Sequence, residues 1–201
     1  MGIPVLILGE SGSGKSASLR NFDPAEVGIF NVAGKPLPFR KKMRCITTSD
    51  YNVIAAAISR GSCKAYVIDD SQYLMAFEAF SKVNVKGFEK FTQMAINFYN
   101  LVQYIIRQTP DDCIVYFLHH VDQDSNTGKI KAKTQGKMLD SQLTLEGLFT
   151  IVLMTIVDKG HWFVTQSDGM TPCKSPMEMF PDRVDNDLKA VDTAIRGYYE
   201  F

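Results

Sequence analysis

The sequence has no excess charge of either sign: 22 Lys and Arg balance 22 Asp and Glu among 201 residues. That excludes a protein that coats nucleic acid through bulk positive charge. A composition of 45% hydrophobic and 22% charged residues also excludes disorder, collagen and coiled coil. Cysteine is sparse. Cys45, Cys63, Cys113 and Cys173 lie far apart with no CxxC, and three of them fall in or beside apolar stretches. Reduced, mostly buried thiols are therefore expected, rather than disulfides or zinc ligands. Long hydrophobic runs are missing as well. The run Ile3 to Leu8 lacks a basic leader and is too short for a signal peptide or a membrane span. Gly2 lacks the Ser or Thr that myristoylation wants four residues on, where Leu6 stands. With no internal repeat or low-complexity tract, residues 1–201 are expected to form one domain of a soluble, cytoplasmic protein.

The apolar runs that do occur are short and regularly interrupted. Ile3–Leu8, Val27–Val32, Met43–Ile46, Ala65–Ile68 and Cys113–Leu118 read as strands, the first as one buried on both faces of a parallel sheet. A helix is expected from Lys15 to just before Asp23-Pro24, and another after Ser49 or Asp50, with Val53, Ile54, Ala57 and Ile58 at helical spacing and Gly61 as its stop. Phe88, Phe91, Met94, Ala95, Phe98, Leu101, Val102 and Ile105 form the clearest helical stripe, a core-packing face. Residues 122–137 have no periodicity. Phe149–Val157 and His161–Thr165 flank Asp158-Lys159-Gly160 as a hairpin, and Val184–Tyr198 reads as a closing helix.

The strongest chemical signal is Gly9-Glu10-Ser11-Gly12-Ser13-Gly14-Lys15-Ser16, which fits the phosphate-binding loop pattern between a strand and a helix. The bare pattern arises by chance in about one chain in a hundred of this length, and the flanking elements make chance rarer still. Its glycines let successive N–H groups face β- and γ-phosphates, and Ala17 closes the nucleotide-contacting stretch. Lys15 supplies a point charge and the Ser16 hydroxyl a Mg²⁺ ligand, so ATP or GTP is the expected ligand. A second metal carboxylate is expected at the end of a buried strand, where Asp69 stands. Asp70 is the candidate to orient or deprotonate the attacking water, its plainer role being a helix N-cap.

His119 and His120 close the next strand and point to opposite faces, so at most one touches the γ-phosphate or the water. Residues 128–137 carry Lys129, Lys131, Lys133 and Lys137 with no acid. They form either a solvated loop or a set of cations for nucleic-acid phosphates or a neighbouring subunit's γ-phosphate. A second cluster, Lys35, Arg40, Lys41, Lys42 and Arg44 around Phe39, is a further backbone-contacting strip or an exposed edge.

The order of these parts resembles the phage-encoded RecA-like ATPases, small proteins described as single-strand annealing recombinases or ATP-binding proteins. The resemblance rests on the loop near residue 1, the Val-Ile-Asp-Asp and Tyr-Phe-Leu-His-His strands, the Gly-Lys-Ile-Lys segment with Gly136-Lys137, and the terminal strand pair. It covers essentially the whole chain. It implies an α/β RecA-like P-loop core, a mostly parallel sheet flanked by helices with a C-terminal antiparallel strand pair. It also implies ATP with Mg²⁺, single-stranded DNA as partner, self-assembly into a ring or filament with ATP between subunits, and the cytoplasm of a phage-infected bacterium. By resemblance Lys15, Ser16 and Asp69 fill the nucleotide roles. His120 resembles the sensing residue, and Lys131, Lys133 or Lys137 the cationic fingers offered in trans. One departure stands out: Phe30-Asn31-Val32-Ala33-Gly34 holds no acid where RecA proteins place a catalytic glutamate, which leaves that task to Asp70 or makes hydrolysis slow. Two alternatives stay open: an accessory ATPase that recruits a phage or host replication protein, and a small nucleotide kinase. The kinase fits less well, because no arginine lies between Asp111 and Lys137 to close a lid.

Overall fold

A computed structural model describes residues 1–87, 89–135 and 143–201. Nine strands among them form one mixed sheet: β1 (Ile3–Gly9), β2 (Val27–Asn31), β3 (Cys45–Ile46), β4 (Ala65–Asp69), β5 (Ile114–Gln123), β6 (Ile130–Ala132), β7 (Ile151–Val157), β8 (His161–Val164) and β9 (Arg183–Asp185). Their spatial order is β3-β2-β4-β5-β1-β7-β8-β9, with β6 folded onto the end of β5. The pairs from β3 across to β7 are parallel, whereas β7–β8, β8–β9 and β5–β6 are antiparallel.

Layers cover both faces, which is why the central strands carry apolar residues at successive positions over most of their length. On β1, Leu6 and Leu8 face a core shared with α1 (Tyr51–Ser59), α2 (Gln72–Ser81) and α3 (Glu89–Gln108). Val5 and Ile7 face the other core, built with Leu19, Phe22 and α4 (Leu188–Tyr199). The α3 stripe packs through Met94, Ala95, Phe98, Leu101, Val102 and Ile105, all buried; Phe88 of that stripe lies outside the described residues. Asp50 caps α1 by accepting from Asn52 N at 2.8 Å, and Gly61 adopts φ 62° just beyond its end. Asp187 caps α4, accepting from Lys189 N and Ala190 N at 3.0 and 3.3 Å.

Three elements depart from the sequence reading. The segment after the glycine-rich loop is a six-residue 3-10 helix, Ser16–Asn21, not an α-helix from Lys15. Ser18 Oγ donates back to Lys15 O at 2.5 Å, and side chains of this type compete with the regular helical ladder. The polar segment after β5 holds a strand: β5 runs past the histidines because Val121, Asp122 and Gln123 pair with Ala132, Lys131 and Ile130 of β6. Val184 sits in β9 opposite Phe163, so the closing helix starts four residues later than expected. All four cysteines are free, but Cys45 is exposed at the sheet edge and Cys63 half-buried, so only Cys113 and Cys173 fit the buried expectation. Among the described residues, no helix is long and apolar enough to cross a membrane.

Candidate functional site

In open α/β sheets the crevice for ligands lies beyond the carboxyl ends of the strands, where the chain crosses from one side of a central strand to the other. Here that strand is β1, flanked by β5 on one side and β7 on the other. The glycine-rich loop leaves its end. A side chain on Gly9 would collide with the Thr155 and Ser13 hydroxyls, and Gly12 and Gly14 turn through φ 80° and 103°. Ser13 ties the loop to itself and to β7, with Oγ donating to Glu10 O at 2.7 Å and lying 2.5 Å from Thr155 Oγ1. His161 Nδ1 is 3.1 Å from Ser13 O, and since a carbonyl only accepts, Nδ1 carries the proton. Ser11 and Gly12 lie on the open side of the loop.

Lys15 is 5% exposed, and its ammonium donates to Gly9 O and Glu10 O at 2.9 and 2.8 Å. Burial pulls it from 10.5 down to about 8, against the opposing pull of the Asp70 and Asp69 charges. Next to it, Ser16 Oγ donates to Asp69 Oδ1 at 2.7 Å across 53 residues of sequence. β4 delivers that carboxylate at its last residue, in register with Asn31. Burial raises the Asp69 carboxyl, opposed chiefly by the Ser16 hydrogen bond. A hydroxyl and a carboxylate held side by side are the hard oxygen donors that magnesium takes, so the donor set fits that ion. Among the described residues no group of three His, Cys, Asp or Glu side chains could hold a metal by itself. A magnesium site of this type completes its shell with waters and phosphate oxygens.

Asp70 adopts φ 59°, uncommon for a residue with a side chain. Ser71, not Asp70, occupies the N-cap position of α2. The Asp70 carboxylate faces the cleft instead, with Oδ1 3.1 Å from His120 Nε2 and Oδ2 3.1 Å from Lys35 Nζ. Burial pushes this carboxyl up, but the hydrogen bonds from His120 and Lys35 outweigh it and leave it below the usual range. Lys35 is held from behind: the buried Asn31 at the end of β2 donates to Lys35 O at 2.6 Å. Its ammonium also sits 5.1 Å from the centre of the Tyr73 ring. Lys15, Ser16, Asp69, Asp70, His120 and Lys35 thus line one cleft of about 200 Å³. A larger cavity of about 580 Å³, between α1, α2 and α3, contains none of them.

The adjacent histidines divide. His119 is fully buried, with Nδ1 2.8 Å from Ser71 Oγ and Nε2 2.8 Å from Lys133 O. The Lys133 carbonyl accepts, so Nε2 carries the proton and Nδ1 accepts from Ser71. Burial brings this imidazole from 6.5 down to about 4 and keeps it neutral. Lys133 N also donates to His120 O at 2.9 Å, so the lysine hairpin is bolted to the strand that carries His120 into the cleft. Lys129 and Lys133 are exposed on the face of β6 that also carries Lys131. Asp122 stands opposite Lys131, so the row is less cationic than its own ten residues suggest. Lys137 lies outside the described residues.

The second basic cluster comes apart. Lys35 joins the cleft, Lys41 donates to Phe22 O, and Phe39 packs against the core, which removes it as an exposed stacking platform. Glu10 and Ala17 enter through their backbone carbonyls, Ala17 O accepting from Arg20. Four residues of the site are not marked by any motif: Lys35 reads as part of a charged strip and Thr155 lies inside β7, whereas Asn31 ends β2 and His161 opens β8, strand termini that give the one hint. No family model matches this chain, and a search of the curated proteins finds no match.

Proposed function

We propose that the protein is a Mg²⁺-dependent ATPase with a RecA-like P-loop core, acting on single-stranded DNA in phage recombination or replication. The observation that carries this reading is the convergence of Ser16, Lys15 and Asp69 at the ends of β1 and β4, with a glycine-rich loop between them. A cleft of about 200 Å³ is smaller than a whole small-molecule site, so it takes the phosphate end and leaves the base on the rim.

Ser16 and Asp69 would hold the magnesium, which would supply charge neutralisation at the phosphates. Lys15 exchanges its loop carbonyls for phosphate oxygens, and the loop N–H groups close around them. Asp70 orients a water in line with the γ-phosphorus. The water oxygen forms the new P–O bond, the bond to the β-bridging oxygen breaks, and Asp70 accepts the water's proton, giving ADP and phosphate. His120 positions Asp70 and carries the change to Lys133 and the hairpin. The lysine hairpin is the DNA-contacting or trans-acting element, and the subunits assemble with ATP between them. Phosphate release measured with and without single-stranded DNA is the test. DNA-stimulated turnover, lost in Asp70→Asn with ATP binding kept, supports the reading. Turnover indifferent to DNA moves the protein to the accessory class, and unchanged turnover in Asp70→Asn removes Asp70 from its role.

A further inference from the structure

We propose that Lys35 is a same-chain cation for the terminal phosphate of the bound triphosphate, and that its ion pair with Asp70 is a latch which that phosphate opens. The inference rests on the ATPase reading of the cleft and adds the residue that distinguishes a triphosphate from a diphosphate there.

Position comes first. β2 ends at Asn31, directly beside Asp69, and the chain turns back through Gly34 at φ 66°. Val32 N donates to Asp69 O and the Asn31 amide to Lys35 O, so the backbone of Lys35 is fixed to the floor of the cleft. Pro36 follows at once and restricts the backbone of Lys35 before it. The side chain is 63% exposed, and its ammonium meets the cleft at Asp70 Oδ2, 3.1 Å away.

Charge comes second. The cleft's own charges balance, with Lys15 and Lys35 facing Asp69 and Asp70. A magnesium triphosphate adds about two negative charges, and the cation free to meet them is the exposed one. Lys15 belongs to the β/γ side of the loop, whereas Lys35 stands across from it, on the side of Asp70 and His120. The lysine side of the pair is solvated while Asp70 keeps its His120 partner, and a phosphate oxygen offers Lys35 a stronger partner than a shared carboxylate. Once Lys35 turns to phosphate, Asp70 Oδ2 is free to accept from water. A diphosphate does not reach Lys35, so the latch stays shut.

The test is a comparison of ATP and ADP affinity, with Mg²⁺ present, for the full chain and for Lys35→Met and Lys35→Arg. The expected result is that Lys35→Met loses about tenfold in ATP affinity with ADP unchanged, and that Lys35→Arg keeps most of the preference. An unaltered ATP-to-ADP ratio in Lys35→Met, in protein whose wild type binds both, overturns the latch and leaves the ATPase reading standing. Wild-type protein that binds neither nucleotide overturns that reading, and the latch with it. Because Lys35 lies on an exposed loop, equal thermal midpoints for the three proteins exclude misfolding as the cause of any change.

Discussion

His119 shows how one buried residue can serve a site without touching it. Its ring is spent on Ser71 and Lys133, so it locks the start of α2 and the lysine hairpin to β5. It stays neutral when folded down to about pH 4 but protonates near 6.5 when unfolded. Its folded value lies below its unfolded one, so the unfolded state takes up the extra proton between those values. Stability is therefore full above 6.5 and falls as pH drops toward 4, by up to about 3 kcal/mol. Urea midpoints of wild type against His119→Gln should differ in acid slope over that window, with the variant flatter. Identical slopes would show that the loss has another source. Residues with a fixed spacing were legible in the chain: Gly9 to Ser16 announce themselves, and Asp69 follows from the apolar run before it. Lys35 was not, because its role depends on a turn that folds thirty-five residues of separation onto Asp70, and no local pattern records that.

At the scale of elements, the loop is held open by what lies behind it. An added methyl on Gly14 would stand 3.0 Å from His161 Nδ1 and 3.2 Å from Asn186 Oδ1, at φ 103°. Gly14→Ala should therefore cost about 2 kcal/mol in denaturant unfolding, and it should weaken nucleotide binding as well. Asp187→Ala tests the start of α4 instead, where Asp187 also accepts from Asn21 Nδ2 of the 3-10 helix at 2.7 Å. Removing that cap should cost about 1 kcal/mol and weaken nucleotide binding less than Gly14→Ala, measured by the same two assays. Strand positions were read well from apolar runs because both faces of the sheet are covered. β6 and β9 were hidden, since three-residue strands at a sheet margin carry too few apolar residues to set a period. The 3-10 geometry after the loop was hidden too, because Ser16 to Asn21 has helical composition on one side and competing hydroxyls on the other.

For the whole molecule, neutrality conceals a distribution. Residues 35–44 carry five bases (Lys35, Arg40, Lys41, Lys42, Arg44) and no acid, whereas residues 182–200 carry five acids (Asp182, Asp185, Asp187, Asp192, Glu200) against three bases. The strip at 35–44 loses Lys35 to the cleft and Phe39 to the core, which leaves the hairpin as the surface that the proposed DNA contact would use. Single strands give a log K slope against log salt of about −0.7 per neutralised phosphate. With Lys129, Lys131 and Lys133 engaged, the slope should be about −2 and fall toward zero in the triple alanine variant. A slope unchanged in that variant puts the contact elsewhere. Everything in this reading depends on the cleft taking a magnesium triphosphate. The most direct measurement is calorimetric titration of ATP into the intact protein, with and without Mg²⁺. Binding that needs Mg²⁺, is abolished in Lys15→Met and loses its Mg²⁺ dependence in Asp69→Asn is the predicted result; folded wild-type protein that takes up no ATP at millimolar concentration contradicts it.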